Sequence, residues 1–242
     1  DDEGNVEEVR AQVEKEETFW FGVGTREQDR GYERGAGKRT GKEEAKVIDP
    51  KIFADHPVVR SDILDYYVEV ENFDQMVARD MESLEKSGQL DNTIVVVTSD
   101  HGMPFPRAKA SLYDDGSRVP LAIRWPKGIK DSGRTVDACV NLSSLAPTFL
   151  VAAGLQVPDM MTAGSLMNVF SNSGTPNQRA YLDKSAAFIA MERHDGCRKG
   201  GKGYPCRAIR TQEYLYIRNF EPTRWPAGNP DREFCARYIP FG

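Results

Sequence analysis

The sequence predicts an α/β fold in which a mainly parallel sheet, flanked by helices, spans residues 18–150 and a smaller antiparallel sheet follows residue 165. Residues 94–97 form a continuous β-branched run, which is typical of a central strand covered on both faces. Residues 61–86 repeat apolar side chains at steps of three and four, which predicts a long amphipathic helix. Short alternating segments after residue 185 predict the antiparallel strands.

The elements before the central strand follow from local patterns. Residues 1–17 are acidic with valines at helical spacing, which predicts a solvated amphipathic helix. Residues 18–24 predict a buried strand that closes into a glycine turn. The long helix is predicted to be capped by Ser61 and ended by Gly88, which makes a strand-helix-strand unit with the central strand.

The elements after the central strand are shorter. Residues 118–125 predict a strand that Pro126 stops. Residues 140–153 predict a short strand and then a helix that Gly154 ends, with Ser143 or Ser144 as the cap and a buried face of Leu145, Phe149, Leu150 and Ala153.

Composition limits the classes of function. The chain has 242 residues, 39% of them hydrophobic and 29% charged, which is enough to bury a sizeable core. Its net charge of −5 argues against nucleic acid or a membrane surface as partner, because both require a basic field. No apolar run approaches the roughly 20 residues of a membrane span, and the first three residues are acidic, unlike a signal peptide.

A glycine-rich basic segment is similar in composition to a phosphate-binding loop but does not match its motif. It runs Gly-Ala-Gly-Lys-Arg-Thr-Gly-Lys over residues 35–42. A Walker loop places Ser or Thr directly after its lysine, whereas Lys38 precedes Arg39 and Lys42 precedes Glu43. A flexible basic surface loop is the prediction.

The four cysteines show no metal-type spacing. They are Cys139, Cys197, Cys206 and Cys235, and none forms a C-x-x-C pair. Buried or free thiols are the default interpretation, and a disulfide between Cys197 and Cys206 is the alternative.

Chemistry-bearing side chains begin where the central strand ends. Asp100 and His101 follow the strand directly, and Gly102 allows the backbone to leave the sheet there. Ligands of open α/β sheets bind outside the carboxyl ends of the strands, so both side chains are candidate ligands of one ion. Lys109 lies on the same loop, and we expect its ammonium group to reach the same pocket.

The run from Thr-Ser-Asp-His-Gly through Met-Pro-Phe-Pro-Arg-Ala-Lys, Leu-Tyr-Asp and Arg-Val-Pro-Leu resembles the carboxyl-side segment of the type I sulfatases. These enzymes belong to the alkaline-phosphatase superfamily, and the branch similar to heparan N-sulfatase is the nearest. The resemblance implies that Asp100 and His101 bind a divalent metal and that Lys109 contacts the sulfate as a catalytic residue. It also implies residues 1–164 as the carboxyl-terminal part of the catalytic α/β domain and residues 165–242 as an incomplete small subdomain.

Further substrate-binding residues follow from the same resemblance. The segment around Asp29 and Arg30 is similar to a sulfatase segment with Pro-His-Arg, in which Asp29 stands at the histidine. An anionic Asp29 repels a sulfate, so this departure puts the family's role at that position in doubt. His194 lies near a position where the family places a substrate-side histidine. The resemblance also implies that Arg107 is a substrate-binding residue.

The family's nucleophile is not encoded in these residues. Type I sulfatases oxidise the first residue of a C/S-x-P-x-R motif to formylglycine, and no Cys or Ser here has Pro two positions later. Two further metal carboxylates of the family are also missing. The chain is therefore expected to be a fragment or degenerate paralogue that is inactive alone, whose partners are a sulfated carbohydrate or other sulfate ester and the missing amino-terminal half of the catalytic domain.

The resemblance leaves the ion and the reaction class partly open. Calcium is the family's usual ion, but His101 where the family often has Asn shifts the preference toward Mn²⁺, Zn²⁺ or iron. A phosphoester or phosphonate hydrolase of the same superfamily and a non-catalytic remnant that binds glycans or anions are the alternatives to a sulfatase. Family resemblance implies a periplasmic, secreted or lysosomal location.

Overall fold

The computed structural model describes residues 19–25, 31–48, 52–171, 185–194 and 201–224. The predicted amino-terminal helix, Asp29 and Arg30 lie outside these ranges. The described residues form two compact units. The first unit contains the residues up to Thr93 together with Met103–Arg107, and the second contains Ile94–Gly102 and the residues from Ala108 onward. The predicted boundary at residue 165 concerns the family's domain organisation and stays a prediction.

The first unit is built on one long helix, Pro57–Lys86. It begins four residues before the predicted start, because Pro57 occupies the first helical position, where a missing N–H is harmless. His56, not Ser61, is the cap, and its Nδ1 accepts a hydrogen bond from the Val58 N–H at 3.2 Å. The helix ends as predicted before Gly88, whose φ of 71° is in the left-handed region.

The glycine-rich segment packs on this helix, so the prediction of a flexible loop is wrong. It contains a short helix, Ala36–Arg39. Asp65 of the long helix is 2% exposed, and its carboxylate accepts the backbone N–H of Gly35 at 2.7 Å and that of Gly37 at 2.8 Å. A Cβ on Gly37 would lie 2.5 Å from Leu64 Cβ, so only glycine allows this approach. These two amides already bind a carboxylate, which agrees with the rejection of a phosphate loop.

The buried Asp65 carboxylate predicts a large loss of stability on truncation. Asp65→Ala removes the acceptor from two backbone N–H groups and is expected to lower the free energy of unfolding by about 3 kcal/mol. Asp65→Asn keeps one acceptor oxygen, and its expected loss is about half as large. Urea denaturation of the 242-residue chain measures both. The exposed Asp74 lies on the same helix, and Asp74→Ala is the control with an expected change within about 0.5 kcal/mol. Equal losses for Asp65→Ala and Asp74→Ala would contradict the assigned role.

The first sheet of the second unit has two strands, β1 (Val95–Thr98) and β2 (Leu121–Arg124). They pair antiparallel, with Val95 opposite Arg124 and Thr98 opposite Leu121. The prediction of a mainly parallel sheet is therefore wrong for the described residues, although the α/β class is confirmed. The chain between β1 and β2 turns back through a compact loop instead of a crossover, and this geometry produces an antiparallel pair.

Two further expectations about this sheet are wrong. Residues 19–25 form no strand, so the long helix is not preceded by a strand within the described residues. All four residues of β1 are half-buried, not fully covered. The β-branched run has the propensity for a strand, but its burial depends on neighbours that the local sequence does not specify.

The second sheet confirms the antiparallel prediction. It contains β3 (Ala187–Met191), β4 (Cys206–Arg210) and β5 (Leu215–Asn219), in that order. Side chains on one face of this sheet form a buried cluster, in which Leu112 packs against Tyr204, Cys206 and Ala208. The Cys206 thiol donates to the Tyr204 carbonyl at 3.1 Å. Cys139 and Cys206 carry thiols that are not in a disulfide, which confirms the default interpretation for these two residues and contradicts the alternative of a disulfide at Cys206.

The helix predicted after β2 forms with different details. A 3₁₀ turn, Leu142–Ser144, replaces the predicted strand and leads into the helix Leu145–Ala152. Ser144 occupies the N-cap position, as predicted, but its side chain makes no capping hydrogen bond. The buried residues of this helix are Pro147 and Thr148. Thr148 Oγ1 accepts a hydrogen bond from the Leu166 N–H at 2.8 Å, which holds this side of the helix inward. Gly154, with φ of 73°, ends the helix as predicted.

In the part of the chain that the structure describes, no helix has both the length and the apolar character needed to span a bilayer.

Candidate active site

Asp100 and His101 lie side by side just after β1. The distance from His101 Nε2 to Asp100 Oδ1 is 3.5 Å, and their side chains are 31% and 85% exposed. His101 Nδ1 lies 2.9 Å from the carbonyl oxygen of Gly102, and because a carbonyl only accepts, Nδ1 carries the proton. Nε2, on the side of Asp100, is therefore the nitrogen that can act as a metal ligand. The Ser99 hydroxyl donates to the His101 carbonyl at 2.7 Å and holds this backbone in place.

The donor atoms of this pair and their separation are compatible with binding to one divalent ion. Two ligands bound to one ion at about 2.1 to 2.4 Å lie roughly 3 to 3.5 Å apart, which matches the Asp100–His101 separation. A hydrogen bond that orients the second imidazole nitrogen, as on His101, is typical of metal-bound histidines. Within the described ranges no group of three or more His, Cys, Asp or Glu side chains could hold an ion. Asp100 and His101 therefore fit two positions of a coordination shell that needs further ligands.

The loop after His101 closes on itself through two glycines. The Gly102 N–H donates to the Gly116 carbonyl at 3.1 Å. A Cβ on Gly102 would overlap the carbonyl oxygen of Asp115, and one on Gly116 would overlap that of Ala108. Gly102 was predicted to let the backbone leave the sheet, but its φ is not in the left-handed region. Its physical role is the close approach of two backbone segments.

Strained backbone brackets Lys109. Arg107 has φ of 63° and Ala110 has φ of 64°, and these are the non-glycine residues with positive φ in the described chain. Such conformations cost about 1 kcal/mol or more each and persist only where the surroundings hold them. Between them, Ala108 is fully buried and Lys109 half-buried. Strain of this kind clusters at functional sites, so the loop that carries Lys109 is a candidate on structural grounds as well.

Several of the predicted site residues lie in the same compact unit. Their convergence on one pocket stays a prediction. Asp100, His101, Lys109 and His194 all belong to the second unit. His194 is exposed and follows β3. Arg107 is also exposed. The expected approach of the Lys109 ammonium to the Asp100–His101 pair, and the substrate-binding roles of His194, Arg107, Asp29 and Arg30, stay predictions.

Arg210 is a residue of this site region that sequence reasoning missed. Its Nε lies 2.8 Å from Asp114 Oδ1 and its Nη2 lies 3.1 Å from Asp114 Oδ2, a bidentate pair that raises the pKa of the Arg210 guanidinium. Asp114 follows Lys109 by five residues and begins a short helix, Asp114–Ser117, whereas Arg210 ends β4, 96 residues after Asp114. Asp114 belongs to the Leu-Tyr-Asp motif of the sequence, but no local pattern links it to Arg210.

Family comparisons identify the class of this chain. Residues 10–155 match the family model described as sulfatase, and residues 105–225 match the model described as N-sulphoglucosamine sulphohydrolase, C-terminal. The first match covers more than half of the 242 residues, so the chain belongs to the sulfatase family of sulfuric ester hydrolases. The second match confirms the resemblance to the heparan N-sulfatase branch.

Individual relatives give the same result. The chain is 39% identical over 163 residues to N-acetylglucosamine-6-O-sulfatase of Bacteroides thetaiotaomicron, covering 63% of this chain and 27% of that protein. It is 28% identical over 174 residues to human N-sulphoglucosamine sulphohydrolase, covering 72% of this chain and 34% of that protein. The chain thus spans about a third or less of the length of these curated relatives.

Solved structures support the sulfatase fold. One structure, in complex with its substrate D-glucosamine-2-N,6-O-disulfate, has a TM-score of 0.54 and 32% identity, covering 67% of this chain and 33% of that one. The phosphonate monoester hydrolase of Agrobacterium radiobacter has a TM-score of 0.56 and 25% identity, covering 67% of this chain and 34% of that one. The fold is common to both chemistries, but both family models that match are sulfatases. The sulfatase assignment is therefore the better supported.

Proposed function

We propose that this chain is part of an enzyme that hydrolyses a sulfate ester or a sulfamate on a sulfated glycan. The observation that carries the proposal is the Asp100–His101 pair followed by the strained, closed loop that holds Lys109. Both features lie within the residues that match the sulfatase family.

Each residue of the site has a distinct role in this proposal. Asp100 and His101 would hold a divalent ion, with Ca²⁺ as the first expectation and Mn²⁺ or Zn²⁺ as alternatives because one donor is an imidazole. The ion, when bound, supplies a Lewis acid for the oxygens of the sulfuryl group. Lys109 adds a positive charge for the oxygens on which negative charge develops, in a half-buried position where that charge is less screened than in water.

The substrate class is proposed from the relatives. The two curated relatives are named for sulfated N-acetylglucosamine and glucosamine, and the solved relative was crystallised with a glucosamine disulfate. A glucosamine carrying N- or O-linked sulfate is therefore the first substrate to test. The family's nucleophile is proposed to lie in the part of the catalytic domain that precedes these residues in a longer protein.

The test compares the full-length protein with the 242-residue chain. Sulfate release from D-glucosamine-2-N,6-O-disulfate, measured by ion chromatography, is expected from the full-length protein and not from the chain alone, because the chain encodes no C/S-x-P-x-R motif. A phosphonate monoester and an aryl sulfate serve as comparison substrates. Faster turnover of the phosphonate would contradict the sulfatase proposal. Robust sulfate release by the chain alone would contradict the proposed division of the site.

A further inference from the structure

The loop that carries Lys109 has two anchors on the second sheet. Leu112 is 6% exposed and packs among Tyr204, Cys206 and Ala208. Two residues later, Asp114 binds Arg210 through both carboxylate oxygens. Cys206, Ala208 and Arg210 alternate along β4, so the apolar anchor and the ionic anchor use one face of one strand.

Arg210 is itself held by the hairpin that joins β4 and β5. Its Nη1 donates to the carbonyl of Thr211 and lies 3.5 Å from that of Tyr214. Nε and Nη2 point to Asp114, so the guanidinium divides its donors between the hairpin and the loop. The side chain is only 21% exposed. A planar guanidinium that is hydrogen-bonded on both edges has little rotational freedom. The second sheet, which carries Arg210, therefore determines where Asp114 can lie.

Backbone contacts close to Asp114 reach the residues next to His101 and next to Lys109. Gly116, two residues after Asp114, accepts the Gly102 N–H, which directly follows His101. The same glycine lies against the carbonyl of Ala108, which directly precedes Lys109. The Ser111 N–H and hydroxyl also donate to the Ala108 carbonyl, at 3.2 and 2.8 Å. A shift of Asp114 would therefore move the backbone beside His101 and beside Lys109 together.

We propose that Arg210 is a positioning residue that, through Asp114, keeps residues 108–116 and their contact with Gly102 in the geometry that places Lys109 relative to His101. The hydrogen bonds and packing contacts of Arg210, Asp114 and the loop support the structural part of this proposal by themselves. The expected effect of Arg210 on turnover rests on the proposed function.

Amide hydrogen exchange on the 242-residue chain tests the structural part. Arg210→Gln is expected to accelerate exchange of the Gly102, Ser111 and Gly116 amides by about tenfold or more, because these N–H groups bond within the loop that Asp114 anchors. Arg207→Gln is the matched control, since Arg207 lies on the same strand but pairs with Glu192 next to β3. If Arg210→Gln does not fold, Arg210→Lys keeps the charge without the bidentate geometry and is expected to give a smaller acceleration. Unchanged loop exchange in a folded variant overturns the proposal.

Turnover by the full-length protein tests the catalytic part. Arg210→Gln is expected to lower kcat about tenfold with KM within about twofold, because Arg210 does not contact the substrate and a misplaced loop acts on the chemical step. The exchanged pair Asp114→Arg with Arg210→Asp restores an ion pair and is expected to recover part of the loss, whereas Arg207→Gln leaves kcat unchanged. Faster loop exchange with unchanged kcat overturns the positioning role. Absence of turnover in the unmodified protein would instead refute the proposed function, and the exchange result would still decide whether Arg210 holds the loop.

Discussion

Asp100→Ala in the full-length protein is expected to abolish release of sulfate from a sulfated glucosamine. Asp100 is the anionic member of the proposed metal-binding pair and lies 3.5 Å from the imidazole of His101. Its loss removes one of the two described donors and the charge that balances the ion, so metal affinity and turnover fall together. Turnover and metal content, the latter by inductively coupled plasma mass spectrometry, are measured on the same preparations.

A matched control separates this effect from a general loss of carboxylate charge. Asp159 is an exposed aspartate of the same unit, and Asp159→Ala is expected to retain full turnover and full metal content. Asp100→Asn keeps the size of the side chain and an oxygen donor without the charge, and an intermediate metal content is expected. Normal turnover by Asp100→Ala would remove Asp100 from the site and with it the assigned metal position.

Lys109→Ala is expected to lower kcat by about 10²–10³, the usual effect of removing one donor that stabilises charge in the transition state. Lys109 is half-buried between two residues in the left-handed region, so its backbone is held while its side chain supplies the charge. KM is expected to change less than kcat, because the interaction strengthens as charge develops on the sulfate oxygens. Initial-rate kinetics over a range of substrate concentrations measure both constants.

Lys130→Ala provides the comparison for this prediction. Lys130 is exposed in the same unit, and its loss is expected to leave both kinetic constants unchanged. Lys109→Arg keeps the charge with a different shape, and its kcat is expected to lie between those of the unmodified protein and Lys109→Ala. A decrease of kcat by less than about threefold for Lys109→Ala would show that Lys109 does not contact the reacting group.

Several features of this protein were determined by the sequence alone. The three- and four-residue spacing over residues 61–86 predicted the long helix, and alternation predicted the antiparallel strands β3 to β5. The ordered motif from Asp100 to Asp114 indicated the sulfatase family before any structural comparison. These signals are readable because helix period, strand alternation and loop motifs depend on residues that are close in the chain.

Only the tertiary structure decided how distant segments meet. The antiparallel pairing of β1 with β2, the binding of the Gly35 and Gly37 amides by Asp65, and the contact of Asp114 with Arg210 each join residues 23 to 96 positions apart. The close approaches at Gly102 and Gly116 likewise depend on backbone that arrives from elsewhere in the loop. Local propensity does not encode such pairings, because the packing of the whole unit selects the partner of each buried polar group and each strand edge.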